Sequence, residues 1–375
     1  MRILALDIGT LTGWALHGAD QTIADAVILL PDGGSLLMLL EDDRNQYLAR
    51  VSVGGGNVER LSAPGAVVDG FDTGGTGRVA LLVTTPEAPA ELFAFERMAL
   101  RALSSQNKEP LQGIALGSVS GIEFESADGT AVQGILTRPP GFEAGRRYPT
   151  VALIHGGPTA QNGFEFDSGA QVLAGAGYLV VRPNYRGSSG RGREFSRAIF
   201  ADWGNLEVQD VLAAIDHVVE AGLADPERLG IGGWSYGGMT TNYAIAKDAR
   251  FKAAVSGASI ANVLTGYGTD QYIRQYENEL GRPWEEIDKY FKVSHPFLHA
   301  DKIVTPTLFL CGEKDFNVPL INSEQMYQAL RSLGIETQLV IYPGQYHGLA
   351  KPSYRKDRHE RYIAWFDRFL KAAEE

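Results

Sequence analysis

The segment Gly233-Trp-Ser-Tyr-Gly237 lies between a strand-like run, Arg228–Gly232, and a helix-like run, Tyr236–Ala246. Few features restrict a fold as strongly. A Gly-x-Ser-x-Gly pattern between strand and helix describes a turn whose backbone would crowd any side chain two residues to either side of the serine. Such a turn lifts the serine Oγ above the carboxyl ends of the strands, where open α/β sheets bind ligands. The helix beyond it adds backbone N–H groups and a partial positive charge, suited to a developing oxyanion. Ser235 is therefore the candidate nucleophile.

The surrounding pattern fits that requirement. From residue 119 onward strands alternate with helices. Val119–Ser126 and Ala131–Arg138 alternate in polarity around Ala127-Asp128-Gly129, a hairpin-turn signal. Strands then read at Thr150–Ile154, Tyr178–Arg182, Arg228–Gly232, Lys252–Ser256, Thr307–Cys311 and Thr337–Tyr342. Helices read at Ala170–Ala176, Val208–Val219, Tyr236–Ala246, Asn322–Leu333 and Arg358–Ala372. This order predicts a doubly wound, mostly parallel sheet with an antiparallel edge.

A serine nucleophile needs a base and a group that orients the base. His347 comes after the last strand, in Tyr342-Pro-Gly-Gln-Tyr-His-Gly348. Asp315 comes after the strand before it, in Gly312-Glu-Lys-Asp-Phe-Asn-Val-Pro319. The chain order Ser, Asp, His is that of α/β-hydrolases, and all three positions fall at one sheet edge. Glu313 is the rival acid. Of the other histidines, His217 sits within a helix, His295 precedes Pro296, and His17, His299 and His359 lack a strand-end position. Two oxyanion donors are expected: the backbone N–H of Tyr236, and one from His155-Gly156-Gly157, the turn after the strand at Thr150–Ile154.

The first third of the chain differs. Strands at Ser35–Leu40, Gln46–Ser52 and Val58–Ser62 recur at Arg78–Val83, Ala90–Glu96 and Met98–Ser104, an offset of 43–44 residues. An all-β repeat of that length suggests propeller blades, the alternative being an ordinary β-meander. Propellers close with about four to eight blades, and there is room for barely two. We therefore expect a small β-module at 1–117, truncated relative to a propeller, and a catalytic domain at 118–375. The first hairpin, Ile3–Leu16 with Asp7, resembles the opening of ribonuclease-H-like nucleases and, more loosely, of sugar kinases, where such an aspartate would bind metal. Nothing downstream continues that likeness, and a plain hairpin is the expected reading.

Composition narrows the partners. Hydrophobic residues make up 44% of the 375, enough for a large core, and the formal charge of −11 disfavours nucleic acid and anionic membrane. A single cysteine, Cys311, permits no internal disulfide, and it reads as a quiet core thiol. No signal peptide or membrane-length apolar run is read, so a cytoplasmic location is expected. No metal-ligand cluster or phosphate loop is read, so no cofactor is expected.

Several motifs in order give a closer likeness: His155-Gly-Gly-Pro158, Asn184-Tyr-Arg-Gly-Ser-Ser-Gly-Arg-Gly192, Asp202-Trp-Gly204, Gly233-Trp-Ser-Tyr-Gly-Gly238, Gly281-Arg-Pro-Trp284, Asp315-x-x-Val-Pro319 and His347-Gly348. Residues 119–372 resemble the catalytic domain of the prolyl oligopeptidase family of serine peptidases, especially its acylaminoacyl-peptidase-like and dipeptidyl-peptidase-like branches. The resemblance implies hydrolysis of peptide or acyl-amide bonds through an acyl-enzyme. It also implies an apolar pocket for the substrate side chain before the scissile bond (S1). By motif position Val318 would wall that pocket, and Asn317 would donate to the substrate backbone. Tyr267, Tyr272 and Tyr276 lie in the stretch that supplies aromatic walls.

The family's propeller covers the site, and dipeptidyl-type members take acidic residues from it to hold the substrate amine. Most of it has no counterpart here and no acidic pair is read. An open site that also accepts small esters is therefore expected, and carboxylesterase activity is the alternative function. Expected partners are short peptides, acylated amino acids or small esters. An uncovered β-module edge also favours a homo-oligomer.

Overall fold

Two short β-sheets precede one long mixed sheet, and each arises from its local sequence. The structure, a computed structural model, describes residues 22–62, 65–74 and 77–371. The Asp7 hairpin lies outside these.

The first sheet contains β1 (Thr22–Leu29), β2 (Ser35–Asp42), β3 (Asn45–Ser52) and β4 (Glu59–Arg60), paired in that order and antiparallel. The second repeats it with β5 (Val67–Thr73), β6 (Val79–Thr85), β7 (Ala88–Glu96) and β8 (Ala99–Ala102). The repeat unit thus has four strands, and sequence patterning reveals only three of each. Both missed strands, β1 and β5, carry register irregularities in their pairing, at Ile23–Val27 and Val68–Gly70. A bulge breaks the two-residue alternation by which a strand is recognised. The sheets pack on each other through Leu37, Leu39 and Leu48 against Val68, Leu81 and Val83.

The β2–β3 turn docks this module against residues 122–123 of the long sheet. Asp43 and Arg44 both have positive φ (41° and 65°), as a two-residue hairpin turn of the primed type requires. The Arg44 side chain is buried there, donating to the Ile122 carbonyl at 3.1 Å and pairing with Glu123 at 3.0 Å.

The long sheet has eight strands: β9 (Val119–Glu125), β10 (Ala131–Thr137), β11 (Tyr148–Ile154), β12 (Leu179–Asn184), β13 (Ala224–Trp234), β14 (Ala253–Gly257), β15 (Thr307–Gly312) and β16 (Thr337–Tyr342). Their order is β16-β15-β14-β13-β11-β12-β10-β9, parallel from β16 to β12 and antiparallel at the β10 and β9 edge. The helices are α1 (Ser168–Gly175), α2 (Gly192–Arg197), α3 (Leu206–Glu220), α4 (Tyr236–Lys247), α5 (Val263–Gly266), α6 (Ile273–Glu279), α7 (Ile287–Val293), α8 (His295–Leu298), α9 (Ile321–Ser332) and α10 (Pro352–Leu370).

One core lies under α3, α4 and α9, and a second under α1 and α10. Strands β12, β14 and β15 are buried at every position, as strands covered on both faces must be. This is the α/β-hydrolase architecture expected from the sequence. The order reverses at β11, which lies between β12 and β13, so the crevice at the carboxyl ends of β11 and β13 is the switch point where such sheets bind ligands. Four short helices, α5–α8, fill the stretch between β14 and β15. Among the described residues no helix is long and apolar enough to cross a membrane.

Candidate active site

Ser235 comes directly after β13, with φ 61° and ψ −126°. A non-glycine residue holds such a conformation only where its surroundings enforce it. The flanking glycines show the crowding. A Cβ on Gly233 would lie 2.5 Å from the Gly237 carbonyl carbon, and one on Gly237 would lie 2.1 Å from the Ile154 oxygen. A Cβ on Gly238 would lie 2.5 Å from the Gly257 oxygen. The turn is pinned from below by Ser235 N donating to the Gly257 oxygen at 2.9 Å.

Asp315 and His347 come together from the loops after β15 and β16. His347 Nδ1 and Asp315 Oδ2 are 2.8 Å apart. The Asp315 side chain is fully buried, and its other oxygen accepts the backbone N–H groups of Asn317 (2.9 Å) and Val318 (2.8 Å). Three donors thus converge on one side chain and fix its direction. The loops touch closely: a Cβ on Gly312 would meet the Tyr346 oxygen at 2.2 Å. Glu313, the rival acid, turns outward and accepts from Gly344 N at 2.7 Å. Among the described residues the link from Ser235 Oγ to the imidazole is not hydrogen-bonded; contacts of this kind commonly tighten around substrate.

The turn after β11 borders the serine. A Cβ on Gly156 would lie 3.2 Å from Ser235 Cβ, and Gly157 has φ 127°, so both positions favour glycine. The His155 ring points away from the crevice. Its Nδ1 lies 2.7 Å from the Gly156 oxygen and its Nε2 2.9 Å from Ser188 Oγ. Burial holds its pKa down to about 4, so the ring is neutral.

Beside Ser235 a pocket opens, walled by Pro158, Trp203, Tyr236, Met239, Ile260, Tyr272, Gln275, Tyr276 and Val318. Val318, Tyr272 and Tyr276 are where the sequence motifs suggest. Tyr267 does not line it; its ring packs against Trp284 and Tyr290, and its hydroxyl donates to Glu277 at 2.9 Å. Asn317 does not line it but is tied to it, its Oδ1 accepting from the Tyr272 hydroxyl at 2.6 Å, which leaves the amide N–H groups to donate elsewhere.

Sequence reasoning did not place Trp203, Met239 or Ile260 in this wall. The signal for Trp203 was the Asp202-Trp-Gly204 motif: a Cβ on Gly204 would lie 2.2 Å from the Tyr243 ring, so the glycine lets the segment settle against α4. Cys311 is buried beneath Asp315, and burial pushes its thiol up to about 12, which keeps it an unreactive core residue. Among the described residues no group of His, Cys, Asp or Glu is arranged to hold a metal ion.

Comparison with known proteins places this geometry. The model of the prolyl oligopeptidase family matches residues 164–373. The uncharacterized peptidase YuxL of Bacillus subtilis is 35% identical over 296 residues, covering 77% of this chain and 45% of that protein. The acylamino-acid-releasing enzyme of Arabidopsis thaliana is 31% identical over 239 residues, covering 61% of this chain and 31% of that protein. An acylaminoacyl peptidase solved in complex with Z-Gly-Gly-Phe-chloromethyl ketone superposes with a TM-score of 0.87 at 28% identity, covering 96% of this chain and 58% of that one. The chain spans less than half the length of these curated relatives. It belongs to the prolyl oligopeptidase family of serine peptidases.

Proposed function

We propose that this member of the family is a serine peptidase that cleaves peptide or acyl-amide bonds after an apolar residue, with N-acylated short peptides as its preferred substrates. The observation that carries this reading is the apolar pocket opening beside Ser235, with Val318 as one wall and His347 paired with the buried Asp315 nearby.

In this mechanism His347 takes the Ser235 proton through Nε2 while Oγ attacks the carbonyl. Asp315 keeps the Nδ1–H tautomer and stabilises the imidazolium. The oxyanion is met by the Tyr236 N–H, at the start of α4, and by the N–H of Gly156 or Gly157. His347 then protonates the leaving amine, and water resolves the acyl-enzyme by the same steps in reverse. The substrate side chain fills the pocket, and the amide of Asn317 donates to the backbone one residue further out. Support for an acylated substrate comes from the names of the relatives and from the phenylalanyl inhibitor in the solved neighbour. A single, buried cysteine suits a reducing compartment, and a cytoplasmic location is part of this reading.

The test is a matched panel: an N-acetyl-phenylalanine p-nitroanilide, a free-amine dipeptide p-nitroanilide and a p-nitrophenyl acetate, each with wild type and Ser235→Ala. Loss of all activity in the variant, with the acylated anilide ranked above the free-amine one, is the expected result. Turnover of the ester alone would make the protein a carboxylesterase. Wild-type rates in Ser235→Ala would overturn the assignment of the site.

A further inference from the structure

Behind the nucleophile turn, three rings form a buried stack. The His155 and Tyr185 rings lie 4.4 Å apart and 13° from parallel, and Tyr185 and Tyr236 lie 6.3 Å apart at 20°. Each end is anchored. The His155 Nε2 meets Ser188 Oγ at 2.9 Å, and the Tyr236 hydroxyl donates to Glu207 Oε1 at 2.8 Å. Glu207 is fully buried and also accepts the backbone N–H groups of Gly204 (2.5 Å) and Asn205 (3.1 Å).

The stack touches every backbone group that could hold an oxyanion. The Tyr185 hydroxyl donates to the His155 carbonyl at 2.8 Å. A trans peptide is planar, so holding that carbonyl also aims the Gly156 N–H on its other side. His155 Nδ1 lies 2.7 Å from the Gly156 carbonyl, which can only accept, so Nδ1 carries the proton. Holding the Gly156 carbonyl aims the Gly157 N–H in the same way. Tyr236 supplies the remaining N–H itself, and Glu207 anchors its side chain.

We propose that Tyr185, with Glu207 acting through Tyr236, is a positioning unit that sets the direction of the oxyanion-binding N–H groups on both sides of Ser235. Neither residue touches substrate: Tyr185 is fully buried, and both act through the backbone they hold. The burial-lowered pKa of His155 keeps its ring neutral, with one nitrogen to donate and one to accept, as the stack requires. The inference rests on Ser235 being the nucleophile.

The experiment separates transition-state from ground-state binding. Tyr185→Phe keeps the ring and removes the hydroxyl; Glu207→Gln keeps the shape and removes the carboxylate. For each, three quantities are measured: the fraction of sites labelled by a fluorophosphonate, the affinity for an N-acetyl-phenylalanyl trifluoromethyl ketone, and the affinity for N-acetyl-phenylalanine. The ketone forms a tetrahedral oxyanion, whereas the free acid occupies only the ground-state pocket.

For Tyr185→Phe, with full labelling, kcat/KM and ketone affinity are expected to fall together by about tenfold, the worth of one buried hydrogen bond, while affinity for the acid stays within about twofold. The double variant is expected to lose less than the product of the two single losses, because the groups share one stack. Unchanged ketone affinity in a fully labelled Tyr185→Phe protein would overturn the proposal. An equal fall in acid and ketone affinity would overturn it too, since that is how a merely structural residue behaves. Failure of wild type to label at all would instead remove the serine assignment on which it rests.

Discussion

The indole Nε1 of Trp234 donates to the main-chain carbonyl of His347 at 2.9 Å. The residue before Ser235 thus holds the peptide of His347. The ring lies flat against β14, where a Cβ on Gly257 would meet it at 2.2 Å, and the Arg358 guanidinium sits 5.3 Å from its centroid on α10. Trp234→Phe keeps an aromatic ring there and removes the donor, together with part of the indole. We expect kcat to fall about fivefold, for one lost hydrogen bond of about 1 kcal/mol, with KM within about twofold. Steady-state kinetics on the acylated anilide check this. An unchanged kcat would mean that the Gly312 contact and the neighbouring loop bonds hold His347 unaided.

Asp315 does two jobs with two oxygens, and the two substitutions separate them. Oδ2 orients His347, while Oδ1 ties down Asn317 N and Val318 N. Asp315→Asn can keep a carbonyl oxygen for the loop but no longer holds the imidazole tautomer. Its kcat is expected to drop by about 10⁴ with little change in stability. Asp315→Ala leaves two N–H groups without an acceptor, at a cost of about 1–3 kcal/mol each where they are buried. The alanine variant should therefore lose stability in urea denaturation as well as activity, and the asparagine variant activity alone. Equal destabilisation of both would mean that the Oδ1 bonds add nothing to the loop.

Ser235, Asp315 and His347 were legible as candidates because α/β-hydrolase chemistry places such groups just after strands, and the runs before them read plainly as strands. Walls of the pocket were less legible for a physical reason. Trp203, Met239 and Ile260 arrive from three separate elements, and only tertiary packing brings them to Tyr276. Tyr276 lies on α6 and Tyr272 is the residue that caps its start, so the two stay close. Tyr267 instead ends α5, and its ring packs against Trp284 and Tyr290. In the module, bulges hid β1 and β5, while β2 and β6 were plain as apolar runs, Leu36–Leu40 and Val79–Val83. Glu207 was invisible: in sequence it is one more acid, just before the helix read at Val208–Val219, and only the fold buries it beside Tyr236.

Crowding at the turn makes a sharp contrast between two glycines. A Cβ on Gly237 would lie 2.1 Å from the Ile154 oxygen and 2.8 Å from that of His155, both main-chain atoms that cannot step aside. One on Gly348, directly after His347, would meet nothing within 4 Å. Gly237→Ala is therefore expected to lower the melting temperature by well over 5 °C or to prevent folding, at a cost of about 3 kcal/mol or more. Gly348→Ala should melt within about 2 °C of wild type. A calorimetric scan of both decides it, and similar melting temperatures would show that the turn relaxes more easily than its contacts suggest.

Glu207 also gives the protein a pH dependence of known sign. Burial raises its carboxyl from the ordinary 4.5 to about 7, against the opposing bonds from Gly204 N, Asn205 N and the Tyr236 hydroxyl. Tyr185, Tyr236 and Tyr243 face it as neutral phenols, and Lys247 is the nearby cation, its Nζ bonded to the Gly204 carbonyl. Because the folded pKa is the higher one, the native state binds more protons between 4.5 and 7. The stability this group contributes is present below pH 4.5 and is lost as pH rises through about 7. His155 slopes the other way: its lowered pKa costs stability as pH falls from 6.5 towards 4. Glu207→Gln removes the first slope and leaves the second. Measured by urea denaturation, the stability of the variant relative to wild type should rise by about 3 kcal/mol between pH 4.5 and pH 8. A difference that stays flat with pH would mean that the three bonds hold Glu207 ionised in the core, the charged form then being the one that anchors Tyr236.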